Sequence, residues 1–308
     1  MVVVDDASTD GSDEVIRECL SDLADERLRY VRLPANLGQA GALRRGLAEL
    51  RTPFVAFLDS DDVWYEAFVA QHLVAHMNAD FPVALTYCDS HIIDSEGRLL
   101  AGTAWWFDYV PGSSSSRTLD PSLVPRIRPE TGKLAYPENP RLTLRDEWSL
   151  EGASNSMSSM MFRRDFVDLV LTPPDRDLPL FVDFYLSTFA CLMTGAIAVH
   201  ETLYAYRMHG LNKHSNGRVL GGTYNSSKTS WAPKRDAILR VIFEVLQSDA
   251  QPLRLAFGDY RYDRSLTLIA DALKPHRGNG TPTGRRWREA MLPAKLVQWL
   301  HAVKEARR

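Results

Sequence analysis

The 308-residue chain is short of cysteine, of net charge and of long apolar runs, and each shortage excludes a class of protein. Its three cysteines, Cys19, Cys88 and Cys191, are far apart and indicate reduced core residues rather than a disulfide framework or a metal site. The net charge of −3 gives no electrostatic reason to expect a nucleic-acid partner. No apolar run reaches the roughly 18 residues of a membrane span, and we expect no secretory peptide at the N-terminus.

A buried strand that ends in three carboxylates is the most informative segment. Five apolar residues, 54–58, precede Asp59, Asp61 and Asp62. Ligands of open α/β sheets bind beyond the carboxyl ends of the strands, and clustered carboxylates repel one another unless a cation or a proton compensates. Such hard oxygen ligands suit Mg²⁺ or Mn²⁺, particularly beside phosphate oxygens. An acidic cap on the following helix explains the same residues without a metal, so this segment alone leaves both interpretations open.

The order of the predicted elements indicates the fold class. Strands are expected at residues 2–4, 28–33, 54–58 and 83–88, with helices at residues 12–23, 40–50 and 65–77. This alternation implies an α/β fold with a mainly parallel sheet and helices on both faces. In the third helix, His72 and His76 form an i, i+4 pair, which we interpret as partly buried rather than metal-binding because no third ligand is evident.

The second half of the chain differs from the first in composition and in its predicted secondary structure. Residues 101–150 contain six prolines and little periodicity, which is typical of a long insertion over a site or of a disordered linker. A buried helix is expected to begin at Asp183. Beyond residue 221, three segments with apolar residues at helical spacing predict a helical C-terminal extension. We therefore divide the chain into a domain of residues 1–220 and a helical extension of residues 221–308. The last of these segments, residues 296–303, fits peripheral contact with an anionic membrane surface or packing on the first domain.

Four segments together resemble the motifs of family 2 glycosyltransferases. Residues 2–12 resemble the VVDDGSTDGS signature, and residues 36–46 the NxGxxxARNxG segment. Residues 58–64 resemble the DxD metal motif, and residues 206–215 are similar to the YRxHxxNxS segment. Four motifs in the family's order are far more specific than one. The resemblance implies a GT-A fold, which is Rossmann-like, and an inverting hexosyltransferase-type enzyme that uses Mg²⁺ or Mn²⁺.

The resemblance also implies roles on the nucleotide side of the site. Asp6 is expected to accept a hydrogen bond from the nucleotide base, with Asp5 beside it. Gly38 and Gln39 fall in the loop that lines the nucleotide. The implied donor is a nucleoside-diphosphate sugar.

At the phosphate side, the resemblance assigns Asp61 to the metal and Asp59 to the ribose or, through water, to the metal. Asp62 is expected to shape the turn and to cap the next helix. Arg207 and His209 are expected near the phosphates. These assignments agree with the chemistry of clustered oxygen ligands beside cationic side chains.

An inverting transfer also needs one carboxylate that removes the proton from the acceptor hydroxyl. In the family this base is an acid at the start of a helix, and the matching residue is Asp183. The competing acids are Asp175, Asp177, Glu147 and Glu151.

One departure from the family stands at the start of the chain. The family begins with one more strand and one more helix before the VVDD strand, and both are absent here. A sheet without that strand exposes two unpaired inner edges and lacks one wall of the base site. We therefore expect that Met1 is an internal methionine, with poor folding or weak nucleotide binding as the consequence.

The resemblance places the reaction in cell-envelope polysaccharide biosynthesis, with a glycan, a lipid-linked saccharide or another hydroxyl as acceptor. We expect a cytoplasmic location, at the inner face of the membrane if the C-terminal helix contacts it. The alternatives are a catalytically impaired nucleotide-sugar-binding fragment, a Mg²⁺-dependent nucleotidyltransferase and a glycan-binding module. The nucleotidyltransferase is disfavoured because no glycine-rich phosphate loop follows the first strand.

Overall fold

The computed structural model describes residues 1–103, 126–127, 134–136, 138, 140–145, 148, 156–171, 181–209, 212 and 228–274. The strands are β1 Val2–Asp5, β2 Arg29–Arg32, β3 Phe54–Ala56, β4 Val63–Trp64, β5 Leu85–Asp94, β6 Leu99–Ala101, β7 Arg126–Ile127, β8 Leu134–Ala135, β9 Leu142–Arg145, β10 Met160–Arg163 and β11 Ala196–Met208. The helices are α1 Ser12–Leu23, α2 Gly38–Ala48, α3 Phe68–Met77, α4 Arg164–Val170, α5 Val182–Met193, α6 Lys228–Ser248, α7 Ala250–Phe257 and α8 Asp259–Ala272, with a 3₁₀ turn at Met157–Ser159.

The central sheet has the strand order β3-β10-β5-β11-β4, with β6 beside β5 and β9 beside β11. The α/β class and the helical C-terminal region are confirmed. The pairing is mixed rather than mainly parallel: in the described part of the chain only β1–β2 and β5–β11 pair in parallel. Strand β10 runs antiparallel to both neighbours. Antiparallel neighbours need no crossover connection, so the order of the elements in the chain does not by itself fix the direction of β10.

Strands β1 and β2 form a sheet of their own. Strand β1 pairs only with β2, and β3 pairs only with β10, so among the described residues each has one edge without a strand. Unpaired edges of this kind are expected from the sequence, and the strand expected before β1 stays a prediction. Helix α1 beside this small sheet contributes no buried residue, and its Val15 and Leu23 are 60% and 64% exposed.

Helices cover both faces of the central sheet, as predicted. Alternate residues of a strand point to opposite faces, and along β5 the side chains of Leu85 and Tyr87 pack with α5, α6 and α8. Cys88 points to the other face, where it packs with Phe68 and Ala75 of α3. Ten of the twelve residues of α5 are buried, so this helix lies at the centre of the larger core.

Helix α3 contains the predicted histidine pair, and both side chains bond to other residues of the protein. His72 Nδ1 lies 2.7 Å from Thr86 Oγ1, and His76 Nε2 lies 3.3 Å from the Met161 carbonyl oxygen. Burial lowers the pKa of His72 to about 3 and that of His76 to about 4. The structure therefore agrees with the interpretation of His72 and His76 as buried helix residues, His72 fully and His76 partly.

One predicted helix start agrees with the structure and another differs from it. Helix α1 begins at Ser12, as predicted; its cap is Gly11 with φ 86°, a left-handed conformation that suits glycine, and the Ser12 hydroxyl bonds Asp10. Helix α3 begins at Phe68 after Ala67. Asp62 therefore does not cap it, because β4 lies between them.

The C-terminal region is helical where it is described, in α6, α7 and α8. The predicted helix at residues 296–303 lies outside the described residues. Within the described residues, none of the helices has both the length and the apolar character needed to cross a bilayer.

Candidate active site

Residues 59–62, here called the acidic loop, lie in the connection from β3 to β4, which are the two ends of the strand order. The Asp59 N–H donates to Ser158 Oγ at 3.0 Å, and the Trp64 Nε1–H donates to the Ser158 carbonyl oxygen at 2.8 Å. The Asp62 N–H closes a turn onto the Asp59 carbonyl oxygen at 3.1 Å. The 3₁₀ turn before β10 therefore holds both ends of the loop.

The carboxylates of the acidic loop lie close together and partly out of water. Burial, together with the charges on Asp62, Asp183 and Asp61, raises the pKa of Asp59 to about 7, against a hydrogen bond from Gln39. Burial also raises the pKa of Asp62 to about 6, although the Arg207 N–H and the Ser158 hydroxyl favour its charged form. The loop therefore concentrates negative charge that a cation would stabilise.

The end of β11 holds the other side of the acidic loop. The Arg207 N–H donates to Asp62 Oδ1 at 3.0 Å, and Arg207 Nε donates to the Asp61 carbonyl oxygen at 2.8 Å. His209 Nε2 lies 3.0 Å from Asp61 Oδ2. Asn212 fixes this segment, since its Oδ1 accepts the His209 N–H and its Nδ2 donates to the Arg207 carbonyl oxygen, both at 2.8 Å.

Asp183 lies in the first turn of α5 and faces the same region. Its Oδ1 accepts the Phe184 N–H at 2.8 Å, which fixes the carboxylate at the helix start. Burial raises the pKa of Asp183 to about 6. Its charge acts on Asp59, so the fold brings together two acids that are 124 positions apart (183 − 59) in the chain. The four competing acids lie outside the described residues.

Asp5 is buried, and its oxygens bond to the protein itself. Oδ1 accepts the Ser8 N–H at 2.8 Å, Oδ2 accepts the Tyr30 hydroxyl at 2.9 Å, and Arg32 Nε lies 3.5 Å away. These contacts, with Ser8 first, lower the pKa of Asp5. Asp5 therefore shapes the loop after β1, and its predicted position beside the nucleotide stays a prediction.

Asp6 and the 36–39 segment are connected. Asp6 Oδ1 accepts the Leu37 N–H at 2.7 Å, and the Gly38 N–H donates to Asn36 Oδ1 at 3.1 Å. Gly38 has φ 71°, which a side chain would strain. Gln39 follows in α2 and reaches Asp59. The predicted nucleotide residues thus border the acidic loop, while their contacts with a nucleotide stay predictions.

The donor set fits a cation that shares its ligands with a substrate. Over the ranges that the structure describes, no group of three or more His, Cys, Asp or Glu side chains could hold a metal ion by itself. Mg²⁺ usually binds one or two carboxylates and takes its other ligands from phosphates and water. Asp61 and Asp59 suit that mode, and buried Asp62 Oδ2 has no hydrogen-bond partner in the described structure. Metal binding itself stays a prediction.

Ser158 was not predicted from the sequence. It is completely buried and contacts both ends of the acidic loop. The only signal is a run of small polar residues before the apolar strand at 160–162, and that signal does not indicate which distant loop the serine contacts.

Comparisons with known proteins find glycosyltransferases. An uncharacterized glycosyltransferase of Nostoc sp. is 24% identical over 214 residues, which are 70% of this chain and 57% of that protein. The teichoic acid poly(glycerol phosphate) polymerase of Staphylococcus epidermidis is 33% identical over 84 residues, 27% of this chain and 12% of that protein. The chain therefore spans less than two thirds of the length of either relative.

The crystal structure of S. aureus TarS 1–349 in complex with UDP aligns with 97% of this chain and 68% of that chain, at 15% identity and a TM-score of 0.47. The sequence model described as glycosyl transferase family 2 matches residues 1–168, which is more than half of the chain. On this match, the chain belongs to glycosyl transferase family 2.

Proposed function

We propose that this chain transfers a sugar, with inversion, from a nucleoside-diphosphate sugar to a hydroxyl acceptor. The observation that carries the proposal is the position of Asp183, whose charge acts on Asp59 of the acidic loop. The arrangement pairs a carboxylate able to take a proton with a separate group of carboxylates able to take a cation. Membership of the glycosyltransferase family supports the same chemistry.

On the donor side, Asp61 and Asp59 would hold Mg²⁺ or Mn²⁺, with His209 against Asp61. The cation would neutralise charge on the departing diphosphate. Asp6 anchors the loop that contains Gly38 and lies beside Gln39. We propose that this loop binds the nucleotide and that Asp6 accepts from the base.

In the transfer step, the acceptor oxygen forms a bond to the anomeric carbon as the bond from that carbon to the diphosphate oxygen breaks. The hydroxyl proton passes to a carboxylate oxygen of Asp183, and the bond electrons leave with the diphosphate. Asp183 must be ionised to accept this proton, and its pKa of about 6 leaves it ionised at neutral pH.

The acceptor is proposed to be a hydroxyl of a glycan or lipid-linked saccharide of the cell envelope. Support comes from the S. epidermidis relative, whose name assigns it to teichoic acid. Acceptor contacts are expected from residues 101–155, which lie mostly outside the described residues. A cytoplasmic location and membrane contact through residues 296–303 also stay predictions.

The substitution Asp183→Asn tests the mechanism. It should leave donor binding intact and reduce transfer at least about 100-fold, the lower end of what a general base contributes. Unaltered protein should lose activity below about pH 6 as Asp183 is protonated. Product formation from a panel of sugar nucleotides with Mn²⁺ measures the rate, and thermal shift measures donor binding.

Asp165→Asn is a matched control. Asp165 lies at the start of α4, and its Oδ1 accepts the Phe166 N–H at 2.9 Å, as Asp183 Oδ1 accepts the Phe184 N–H. Asp165 pairs with Arg163 at 2.8 Å, at the end of β10 that lies beside the start of β3. Its removal should leave transfer unchanged. An Asp183→Asn variant as active as this control would remove Asp183 from the mechanism.

The unpaired edges of β1 and β3, among the described residues, favour a second candidate function, a nucleotide-sugar-binding fragment with impaired catalysis. The same sugar-nucleotide panel separates the candidates. Cooperative melting and release of nucleoside diphosphate at a normal rate would exclude the impaired fragment. Release of pyrophosphate would instead indicate a nucleotidyltransferase.

A further inference from the structure

The guanidinium of Arg207 bonds to main-chain carbonyl groups of two separate segments. Nε donates to the Asp61 carbonyl oxygen at 2.8 Å. On the other side, Nη1 donates to the carbonyl oxygens of Asp94 and Ser95 at 3.2 Å and 3.1 Å. An arginine that binds phosphate directs its fork at the anion, whereas this fork spans the acidic loop and the connection between β5 and β6.

That connection, residues 94–98 and here called the hairpin turn, is well ordered by its own bonds. Asp94 Oδ1 accepts the Glu96 N–H at 3.0 Å and the Arg98 N–H at 2.8 Å. The Gly97 N–H bonds the Asp94 carbonyl oxygen at 3.1 Å, and Gly97 has φ 81°. The hairpin turn is thus a fixed point against which Arg207 can hold another segment.

Arg207 and His209 together hold the main chain and the side chain of Asp61. The Arg207 side chain holds the Asp61 carbonyl group, and the Arg207 N–H holds the Asp62 carboxylate at 3.0 Å. His209, the residue directly after β11, reaches Asp61 Oδ2 at 3.0 Å. The main chain and the carboxylate of Asp61 therefore both depend on the end of β11.

We propose that Arg207 is a positioning residue that ties the acidic loop to the hairpin turn and so sets the direction of the Asp61 carboxylate. This role differs from the phosphate contact expected for Arg207 from the sequence. The consequence for cation binding rests on the proposed function, but the mechanical link between loop and turn does not. Only a planar side chain with donors pointing in two directions can satisfy both sets of carbonyl groups.

Arg207→Lys separates the two roles. A lysine ammonium binds phosphate well as a point charge, but one Nζ atom cannot reach both segments. Hydrogen exchange of the free protein should become about tenfold faster in residues 59–64 and 94–99, as loss of a charge-assisted hydrogen bond implies. Mn²⁺ affinity, measured by calorimetry on the protein alone, should fall by a similar factor.

Arg98→Lys is the matched control. Arg98 lies in the hairpin turn and pairs with Asp94 and Glu96 on the surface, without reaching the acidic loop. It should change exchange in the turn at most and leave residues 59–64 and Mn²⁺ affinity unchanged.

A phosphate role would give the opposite pattern. Arg207→Lys would then leave exchange and Mn²⁺ affinity unchanged, while Arg207→Gln would weaken binding of UDP, GDP and ADP in the presence of EDTA. That result overturns the proposal. If the variants do not fold, hydrogen exchange of the unaltered protein tests the link between the loop and the turn. Added Mn²⁺ should slow exchange in the hairpin turn as well as in the acidic loop. Protection confined to the acidic loop contradicts the link.

If Mn²⁺ does not bind unaltered protein, the cation part of the proposed function fails. The exchange of Arg207→Lys in the absence of metal still tests the link between the loop and the turn. The two failures are therefore distinguishable.

Discussion

Ser158 is a buried residue that bonds to the acidic loop and to the strand that follows it. Its Oγ accepts the Asp59 N–H, and its carbonyl oxygen accepts the Trp64 indole N–H. The hydroxyl also favours the charged form of Asp62, against the burial that raises the pKa of that group. One small residue before β10 thereby holds the loop, which Arg207 of β11 also holds.

Ser158→Ala should lower the free energy of unfolding by about 1–3 kcal/mol, the cost of leaving a buried N–H without a partner. It should also lower Mn²⁺ affinity, because the acidic loop loses one of its two supports. Urea unfolding and calorimetry with Mn²⁺ measure the two effects.

Ser159→Ala provides the comparison for this change. Ser159 is equally buried and donates to the Ser156 carbonyl oxygen at 2.7 Å, away from the loop. It should lose stability but keep Mn²⁺ affinity. Equal Mn²⁺ affinities in the two variants would show that Ser158 supports only the fold.

At the scale of elements, α3 covers one face of the sheet with two neutral histidines. His72 packs against Phe68 and bonds Thr86, and His76 packs against Phe54. Both have a pKa well below the usual 6.5, because burial disfavours the imidazolium. The unfolded chain binds these protons near pH 6.5 and the folded chain only near pH 3 to 4.

The free energy of unfolding should therefore fall as pH drops below 6.5. The buried acids oppose this, because a raised carboxyl pKa stabilises the fold as pH falls. His76→Gln isolates the histidine effect: between pH 7 and pH 5 unaltered protein should lose about 2 kcal/mol more than the variant. Urea unfolding at both pH values measures the difference, and equal losses would show that His76 titrates normally in the folded protein.

At the scale of the whole molecule, burial is uneven. Helix α5 is buried along most of its length, whereas α1 has no buried residue although its stripe of Val15, Cys19 and Leu23 is apolar. The sheet of β1 and β2 joins the remainder through α2, where Gly46 comes close to Val4. Few buried contacts therefore oppose local opening of α1.

Hydrogen exchange should show this difference directly. Amides of α1 should exchange through local opening with a free energy near zero, and those of α5 should approach the global free energy of unfolding. Peptides from residues 12–23 and 182–193, compared in one experiment, measure both. Equal protection would mean that α1 is stabilised by contacts that its exposure does not show.

The sequence by itself determined where the candidate acids lie within their strands and helices. Apolar residues 54–58 followed by acids place Asp59 and Asp61 at a strand end, and the buried stripe that begins at Asp183 places that acid at a helix start. These inferences hold because a strand or a helix is encoded by residues that are neighbours in the chain.

Only the tertiary structure decided how those acids are held. The Ser158 bond to Asp59 spans 99 positions, and the Arg207 bond to Asp61 spans 146. Such contacts depend on which strands are adjacent, and β10 lies antiparallel between β3 and β5, a pairing that no local pattern encodes. The Arg207 motif indicated a cation near the site, but its direction, towards carbonyl groups of the acidic loop and the hairpin turn, follows from packing alone.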